Sequence, residues 1–406
     1  MRVQVHLLGL DDKVRGIPST APAARNRFLH VPGTHGLTAL PNSLASFGAP
    51  LGRSLLPEIW RDVWRWAEQP EPNEDTSIDE FVTRRLGPLA ANVVSAVGHG
   101  VYAADTRVLS ARAALGWPYK AGTFTPIIRQ RMRQTGPAIP QEPYQVAKEK
   151  QANKVFVFEG GTETLVRALE DALSATENVT IQRGSAVSRV SQRSNTDIEV
   201  GLANGSSSVA SHVVSALPIH ATRPLLSGPL AVHPALDMSY TSVAVVTLVF
   251  ERTDTQIVPP GFGYLVTRSM QGYTTDDAGI IGVIFDSYLE NGGAPSPVDK
   301  LMRLTAMVGG PNPASTLDVD VPRVLEVIGR QLGARLPEPV FVQVGKNLKC
   351  IPTPTVGHVA RVESLAADVK RLWDGRLAIV GAAVDGVAVG SCIEGGRKAA
   401  HAWDKA

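Results

Sequence analysis

The residues most able to do chemistry in this chain lie near its end, where Leu377–Trp403 reads LAIVGAAVDGVAVGSCIEGGRKAAHAW. Gly, Ala and Val crowd the first part. A short polar turn then leads into an Arg- and Lys-bearing helix, predicted to begin near Val389–Ser391. A helix start carries unbonded N–H groups and the positive end of the helix dipole. It therefore suits a diphosphate, a ribityl chain or the ring carbonyl of a flat ligand. Small side chains let the backbone come close to such a ligand, although tight helix–sheet packing alone would use the same residues.

The remaining polar groups point to little other chemistry. His30, His35, His99, His212, His220 and His358 show no metal-ligand spacing, so no metal is expected. Ser43, Ser215 and Ser391 sit in no G-x-S-x-G elbow, which leaves an acyl-transfer triad without support. Asp286 and Asp385 read as turn or strand-end residues rather than general bases. The two cysteines, Cys350 and Cys392, are too few for a zinc site and fit a reducing or disulfide-indifferent setting. No catalytic acid–base pair is predicted.

The elements that must position the C-terminal run belong to a chain of 406 residues, 44% hydrophobic and 19% charged. That composition implies a large core and argues against disorder. With 40 basic against 38 acidic residues, no nucleic-acid footprint is implied. The Arg129–Arg133 cluster reads as a solvated face or, less readily, a phosphate or headgroup site. The start, MRVQVHLLGLDDKVRG, has no signal-peptide pattern, and no apolar run reaches the ~18–20 residues of a spanning helix.

Periodicity divides the chain. Residues 1–25 resemble the tail of an αβ element, with Gly9 ending a helix and Val14–Ile17 starting a strand. Residues 26–150 are mostly helical, and Leu55, Leu56, Ile59, Trp60, Val63 and Trp64 form one apolar stripe. Ser77 and Glu80 have capping-box spacing. The stretch 130–153, with Pro137, Pro140 and Pro143, reads as a loop. NVTIQRGSAVSRVSQ and DIEVGLANGSSSVASHVVSAL read as strands joined by a hairpin at Asn204–Gly205. A run of strands over 231–344 predicts a mainly antiparallel sheet, followed by the helix DVPRVLEVIGRQLG.

The order of segments adds a resemblance. FEGGTETLVRAL, GSAVSRV, VVSALP and the C-terminal VGAAVDGVAVGSCIEGGRKAA together resemble the flavin-containing amine oxidase superfamily. NRFLHVPGTHGLTALP, RRLGPLAANVVSAVGHGVYAAD, PGFGYLV, GIIGVIFDS and KCIPTPTVGHVARVE are similar to its mitochondrial-type protoporphyrinogen oxidases. The resemblance implies an α/β (α+β) fold. A Rossmann-like FAD-binding domain would be built from 1–25, 151–230 and 345–406. A helical membrane-facing region (26–150) and an antiparallel substrate sheet (231–344) would be inserted into it.

For the FAD cofactor, the resemblance implies Val187 at the adenine edge and Gly381 and Ala382 near the ribityl-diphosphate. Val387, Ala388 and Val389 would then face the flavin pyrimidine ring. For substrate it implies Arg27 pairing with a propionate, Gly100 offering its carbonyl to pyrrole N–H groups, and Leu265, Ile284 and Met307 sandwiching the macrocycle. The implied reaction is O2-dependent oxidation of protoporphyrinogen IX, with hydride passing directly to the flavin and no catalytic side chain. A peripheral place on the mitochondrial inner membrane comes with it, as does a homodimer among the assemblies. The chain departs from the pattern in two ways. Val359 stands where the family has an aromatic residue. The family's opening G-x-G-x-x-G unit is absent, an N-terminal truncation in family terms, so weak FAD binding is expected. A ligand-binding remnant and another amine-oxidase-type flavoenzyme are the alternative readings.

Overall fold

A computed structural model describes residues 2–41, 48–64, 75–116, 155–194, 196–252, 256–269, 272–273, 277–290, 300–311 and 317–403. The loop expected at 130–153, the Arg129–Arg133 cluster and Ser43 lie outside these residues. So do the side chains of Val63 and Trp64.

Alternating apolar residues become strands where a neighbour is present to pair with them. In chain order these are β1 (Val14–Ile17), β2 (Phe28–His30), β3 (Thr38–Ala39) and β4 (Val155–Phe158), then β5 (Val187–Gln192), β6 (Ile198–Leu202), β7 (Ser207–Ala210) and β8 (Val213–Ser215). The later strands are β9 (Tyr240–Glu251), β10 (Gly263–Val266), β11 (Ile280–Ile284), β12 (Leu301–Gly309), β13 (Phe341–Pro352) and β14 (Leu377–Ile379).

Seven of them form one sheet in the order β13-β9-β12-β11-β10-β2-β3. All neighbours are antiparallel except β10 and β2. The sheet thus takes β2, β3 and most of β13 from outside residues 231–344. Its two faces differ. Ala244, Val246, Leu248 and Phe250 of β9, with Leu304, Ala306 and Val308 of β12, are buried against Val324, Val327 and Ile328. Those three belong to the Val321–Leu332 helix, which Asp320 caps by accepting the Arg323 N–H. The opposite face carries Val245 and Thr247 of β9 and Thr305 and Met307 of β12, all only half-buried.

In the helical region the Ser77 hydroxyl accepts the Glu80 N–H at 3.1 Å, the first half of the expected capping box. The next helix, Pro88–Tyr102, is capped from outside. The Glu58 carboxylate accepts the N–H groups of Leu89 (3.3 Å) and Ala90 (2.7 Å) at its positive end. The apolar stripe of the Pro50–Trp64 helix is split: Leu55 and Ile59 are half-buried, while Leu56 and Trp60 are 39% and 60% exposed.

Towards the C-terminus, β5, β6 and β7 make a meander, and Gly205 (φ +86°) turns the expected hairpin between the last two. One expectation fails here. NVTIQ at 178–182 forms no strand, and β5 begins only at Val187. A period-2 pattern becomes a strand only with a lateral backbone partner, and no strand among the described residues lies beside it. β14 pairs in parallel with β8 alone, in a two-stranded sheet. A glycine-bounded crossing follows β14 and enters the Val389–Trp403 helix at the expected place.

Candidate active site

The crossing after β14 is a closed turn. Gly381 and Gly386 both sit at φ +116°, a conformation L side chains rarely adopt. Between them the Asp385 carboxylate accepts the Gly381 N–H at 2.7 Å, and the Asp385 N–H returns to the Gly381 carbonyl at 2.8 Å. Gly395 of the following helix packs directly on that carboxylate, where a Cβ would collide with it. The first bonds entering the helix run from Ser391 N–H and Cys392 N–H to the Ala388 carbonyl, at 2.9 and 3.1 Å. Among the described residues no carbonyl accepts the N–H groups of Val387, Ala388 or Val389. Three donors therefore stand unbonded at the positive end of a 15-residue helix.

A cavity of about 160 Å³ opens beside this turn, lined by Ala382–Val387 together with Tyr102, Met238, Pro352, His358 and Val359. His358 begins the His358–Leu372 helix and is 8% exposed. Its Nδ1 is sealed from water and has no hydrogen-bond partner. Burial pushes its pKa down to about 4, Arg361 adding to the effect and Asp75 opposing it, so the imidazole is neutral near pH 7. Asp75 organises this corner. Its carboxylate accepts the Gly357 N–H at 2.7 Å, the Ser110 hydroxyl at 2.8 Å and the Arg112 N–H at 3.3 Å.

The Pro88–Tyr102 helix joins the cavity to the half-buried sheet face. Tyr102 lines the cavity, and its carbonyl accepts the Thr241 hydroxyl at 3.0 Å. Ala103, in the left-handed conformation at φ +47°, packs with Val243, Ile281 and Met307. One turn earlier Gly100 lies over Leu265, where a Cβ would stand 3.0 Å from both of its δ carbons. Leu265, Gly282 and Met307 form one row across β10, β11 and β12. Ile284 lies two residues along β11 from that row, opposite Thr305.

His99 braces the same helix. Its Nδ1 lies 2.7 Å from the Val266 carbonyl, which can only accept, so Nδ1 carries the proton. Nε2, 2.7 Å from the Tyr273 hydroxyl, must then accept from it. Burial lowers the pKa of His99 and raises that of Tyr273, keeping both in these forms.

The sequence-predicted residues thus fall into four places. Gly100, Leu265, Ile284 and Met307 meet at the sheet face. Ala382 and Val387 line the cavity, with Gly381, Ala388 and Val389 flanking it along the chain. The Gly381 N–H is already committed to Asp385. Arg27 precedes β2 at the far end of the same sheet. There its Nη1 donates to the Ala23 and Asn26 carbonyls at 2.7 and 3.0 Å, and its Cζ lies 4.4 Å from the Phe262 ring centroid. Val187 packs against the cluster that holds Ala383 and Val384. Sequence reasoning missed Tyr102, Met238, His358 and Asp75 as site residues. The only local signal was the Gly357–His358 turn; the Asp75 contact spans 282 residues. Among the described residues no cluster of His, Cys, Asp or Glu could hold a metal.

Known proteins are similar to this chain over almost its whole length. The profile of the family described as flavin containing amine oxidoreductase matches residues 4–402. Protoporphyrinogen oxidase of Homo sapiens is 32% identical, over 97% of this chain and 82% of its own. Coproporphyrinogen III oxidase of Bacillus subtilis (strain 168) is 24% identical, over 92% of this chain and 77% of its own. A crystal structure from Exiguobacterium sp. 255-15, provisionally named a protoporphyrinogen oxidase, superposes with a TM-score of 0.70. It is 22% identical and covers 98% of this chain and 83% of its own, so it supports the fold.

Proposed function

The chain belongs to the flavin containing amine oxidoreductases, with FAD as cofactor, and from that premise we propose that it oxidises protoporphyrinogen IX to protoporphyrin IX using O2. The residues present fit one end of the cofactor. A small-residue turn ending at Val387, whose N–H is unbonded, meets a buried imidazole at one cavity, and the unbonded N–H groups of Ala388 and Val389 follow it along the chain. At about 160 Å³ that cavity is below the ~300–1,000 Å³ of sites that enclose a whole small ligand, so it takes a polar edge of the flavin and no more.

When bound, FAD would supply the two-electron acceptor for oxidation at a porphyrinogen meso carbon and a route for those electrons to O2, with three such rounds and three H2O2 per protoporphyrin. The protein's work is to bind and orient. The helix start at Val387–Val389 favours the negative charge that the pyrimidine ring gains on reduction. Leu265, Ile284 and Met307 offer a flat apolar wall to the macrocycle. Gly100 packs on Leu265 at the edge of that wall, and its carbonyl is the acceptor offered to pyrrole N–H groups. Arg27 retains donors beyond those bound to Ala23 and Asn26, and these suit a propionate. No acid–base pair is required, because orientation of two flat systems supplies most of the advantage.

The observation that carries this reading is the Pro88–Tyr102 helix, which meets the cavity through Tyr102 and the apolar sheet face through Gly100. Incubating the FAD-supplemented protein with anaerobically prepared protoporphyrinogen IX, then admitting air, should give porphyrin fluorescence and peroxide. The same assay with coproporphyrinogen III tests the second reading, which the B. subtilis relative favours. A larger kcat/KM on coproporphyrinogen III would replace the first reading, and no turnover of either would remove both.

We also place the protein peripherally on a membrane, the mitochondrial inner membrane in family terms. No described helix is long and apolar enough to cross one, while Leu56 and Trp60 present an exposed apolar edge. Co-sedimentation with anionic vesicles should fall at least fivefold in Trp60→Asp, the ~1 kcal/mol or more of an interfacial aromatic.

A further inference from the structure

We propose that His358 contacts the cofactor, its imidazole hydrogen-bonding the polar edge of the bound flavin in the cavity it shares with Ala382–Val387. The proposal rests on the flavoenzyme reading above and adds a residue to it.

Three observations carry it. The first is place. His358 lines the cavity together with the turn that leads into the unbonded N–H groups of Val387–Val389. The second is an unmet bond. His358 is 8% exposed, its Nδ1 is sealed and unpartnered, and among the described residues neither ring nitrogen has a bonding partner. A buried polar group without a partner costs about 1–3 kcal/mol, so a chain that keeps one at a ligand cavity has a use for it. The third is rigidity. Gly357, at φ +80°, is fixed by the Asp75 carboxylate, and the His358 N–H is held by the Thr355 carbonyl at 2.9 Å. Arg361 closes the corner from the other side through the Val356 carbonyl (2.9 Å) and the Thr355 hydroxyl (2.8 Å).

An imidazole held this way is pre-positioned and needs little reordering to bind. Because burial keeps it neutral, the one ring nitrogen that faces a ligand can either donate to a flavin carbonyl or accept from the flavin N–H. The charged groups around it are Asp75 and Arg361 at the corner and Glu363 and Asp385 in the cavity lining.

The test titrates FAD into the full chain as wild type, His358→Phe and His358→Gln, following flavin fluorescence and the visible absorption band. Thermal unfolding of each protein without FAD is recorded alongside. His358→Phe should weaken FAD binding by about tenfold, or 1.4 kcal/mol, and shift the visible band. His358→Gln, which keeps a donor and an acceptor, should stay within about threefold of wild type. Without FAD, His358→Phe should unfold no earlier than wild type, because it removes an unmet bond; a purely structural histidine would show the reverse. Equal affinity and an unchanged band in His358→Phe overturn the proposal while leaving the flavoenzyme reading intact. Should His358→Phe not fold, His358→Ala takes its place: weakened FAD binding with a shifted band supports the contact, and unchanged affinity and band refute it. A wild type that takes up no FAD at any concentration sinks the flavoenzyme reading, and this proposal with it.

Discussion

Asp286 shows how a single carboxylate can resemble a catalytic base and be something else. Burial raises its pKa to about 6, the Thr305 hydrogen bond and Arg303 opposing the shift and Glu290 adding to it, and its Oδ2 is sealed without a partner. A raised pKa often marks a functional acid. Here the group starts the short Asp286–Glu290 helix and is absent from the residues lining the cavity. The consequence is for stability. The folded state holds this proton more tightly than the unfolded chain, so its favourable contribution is complete below about pH 3.8 and is lost as pH rises through about 6. Above that, a buried charge weakens the fold. Asp286→Asn should therefore raise unfolding free energy at pH 7.5 by roughly 1–3 kcal/mol. The gain should shrink towards zero as pH falls below about 5 in urea melts. A constant gain across that range would mean the carboxylate is not the cause.

At the scale of elements, the crossing and the helix after it depend on one close approach. Gly395 has no side chain because the Asp385 carboxylate occupies that space, and the same carboxylate ties down the Gly381 N–H. Gly395→Ala would push Asp385 away and loosen the turn that presents Val387–Val389. FAD affinity should drop at least tenfold in a fluorescence titration. The melting temperature should fall by only a few degrees, since the cluster around Ala244, Leu248 and Val327 is untouched. Periodicity found the helices and most of the strands, including the Val321–Leu332 helix and the Asn204–Gly205 hairpin, because side-chain alternation is a local property. It failed at NVTIQ, where the pattern is present and the partner strand is not.

At the scale of the whole molecule, the described structure around β14 and β8 is thin. Its parallel sheet has two strands, fewer than the three or more that a sheet needs to stand by its own packing. Val166, Leu169 and Leu173 of the Glu163–Ser174 helix are exposed, with only Leu165 of that helix buried. The sequence has no G-x-G-x-x-G to cradle a diphosphate. The 406-residue chain should accordingly hold FAD weakly, with Kd above about 1 µM, corresponding to less than ~8 kcal/mol. Equilibrium dialysis measures this directly, and a purified protein that stays yellow with one flavin per chain would contradict it.

The sequence by itself determined the glycine-bounded crossing, the helix start at Val389 and the strands of the large sheet between Tyr240 and Gly309. Each is set by neighbours a few residues apart, through backbone period, turn chemistry and capping. Only the tertiary structure decided that β2, β3 and β13 complete the sheet, that Gly100 rests on Leu265, and that Asp75 clamps the corner of His358 from 282 residues away. Such meetings follow from the path of the chain and from which faces must be buried together. No local pattern encodes them, because a carboxylate carries no mark in sequence of the distant N–H group it will accept.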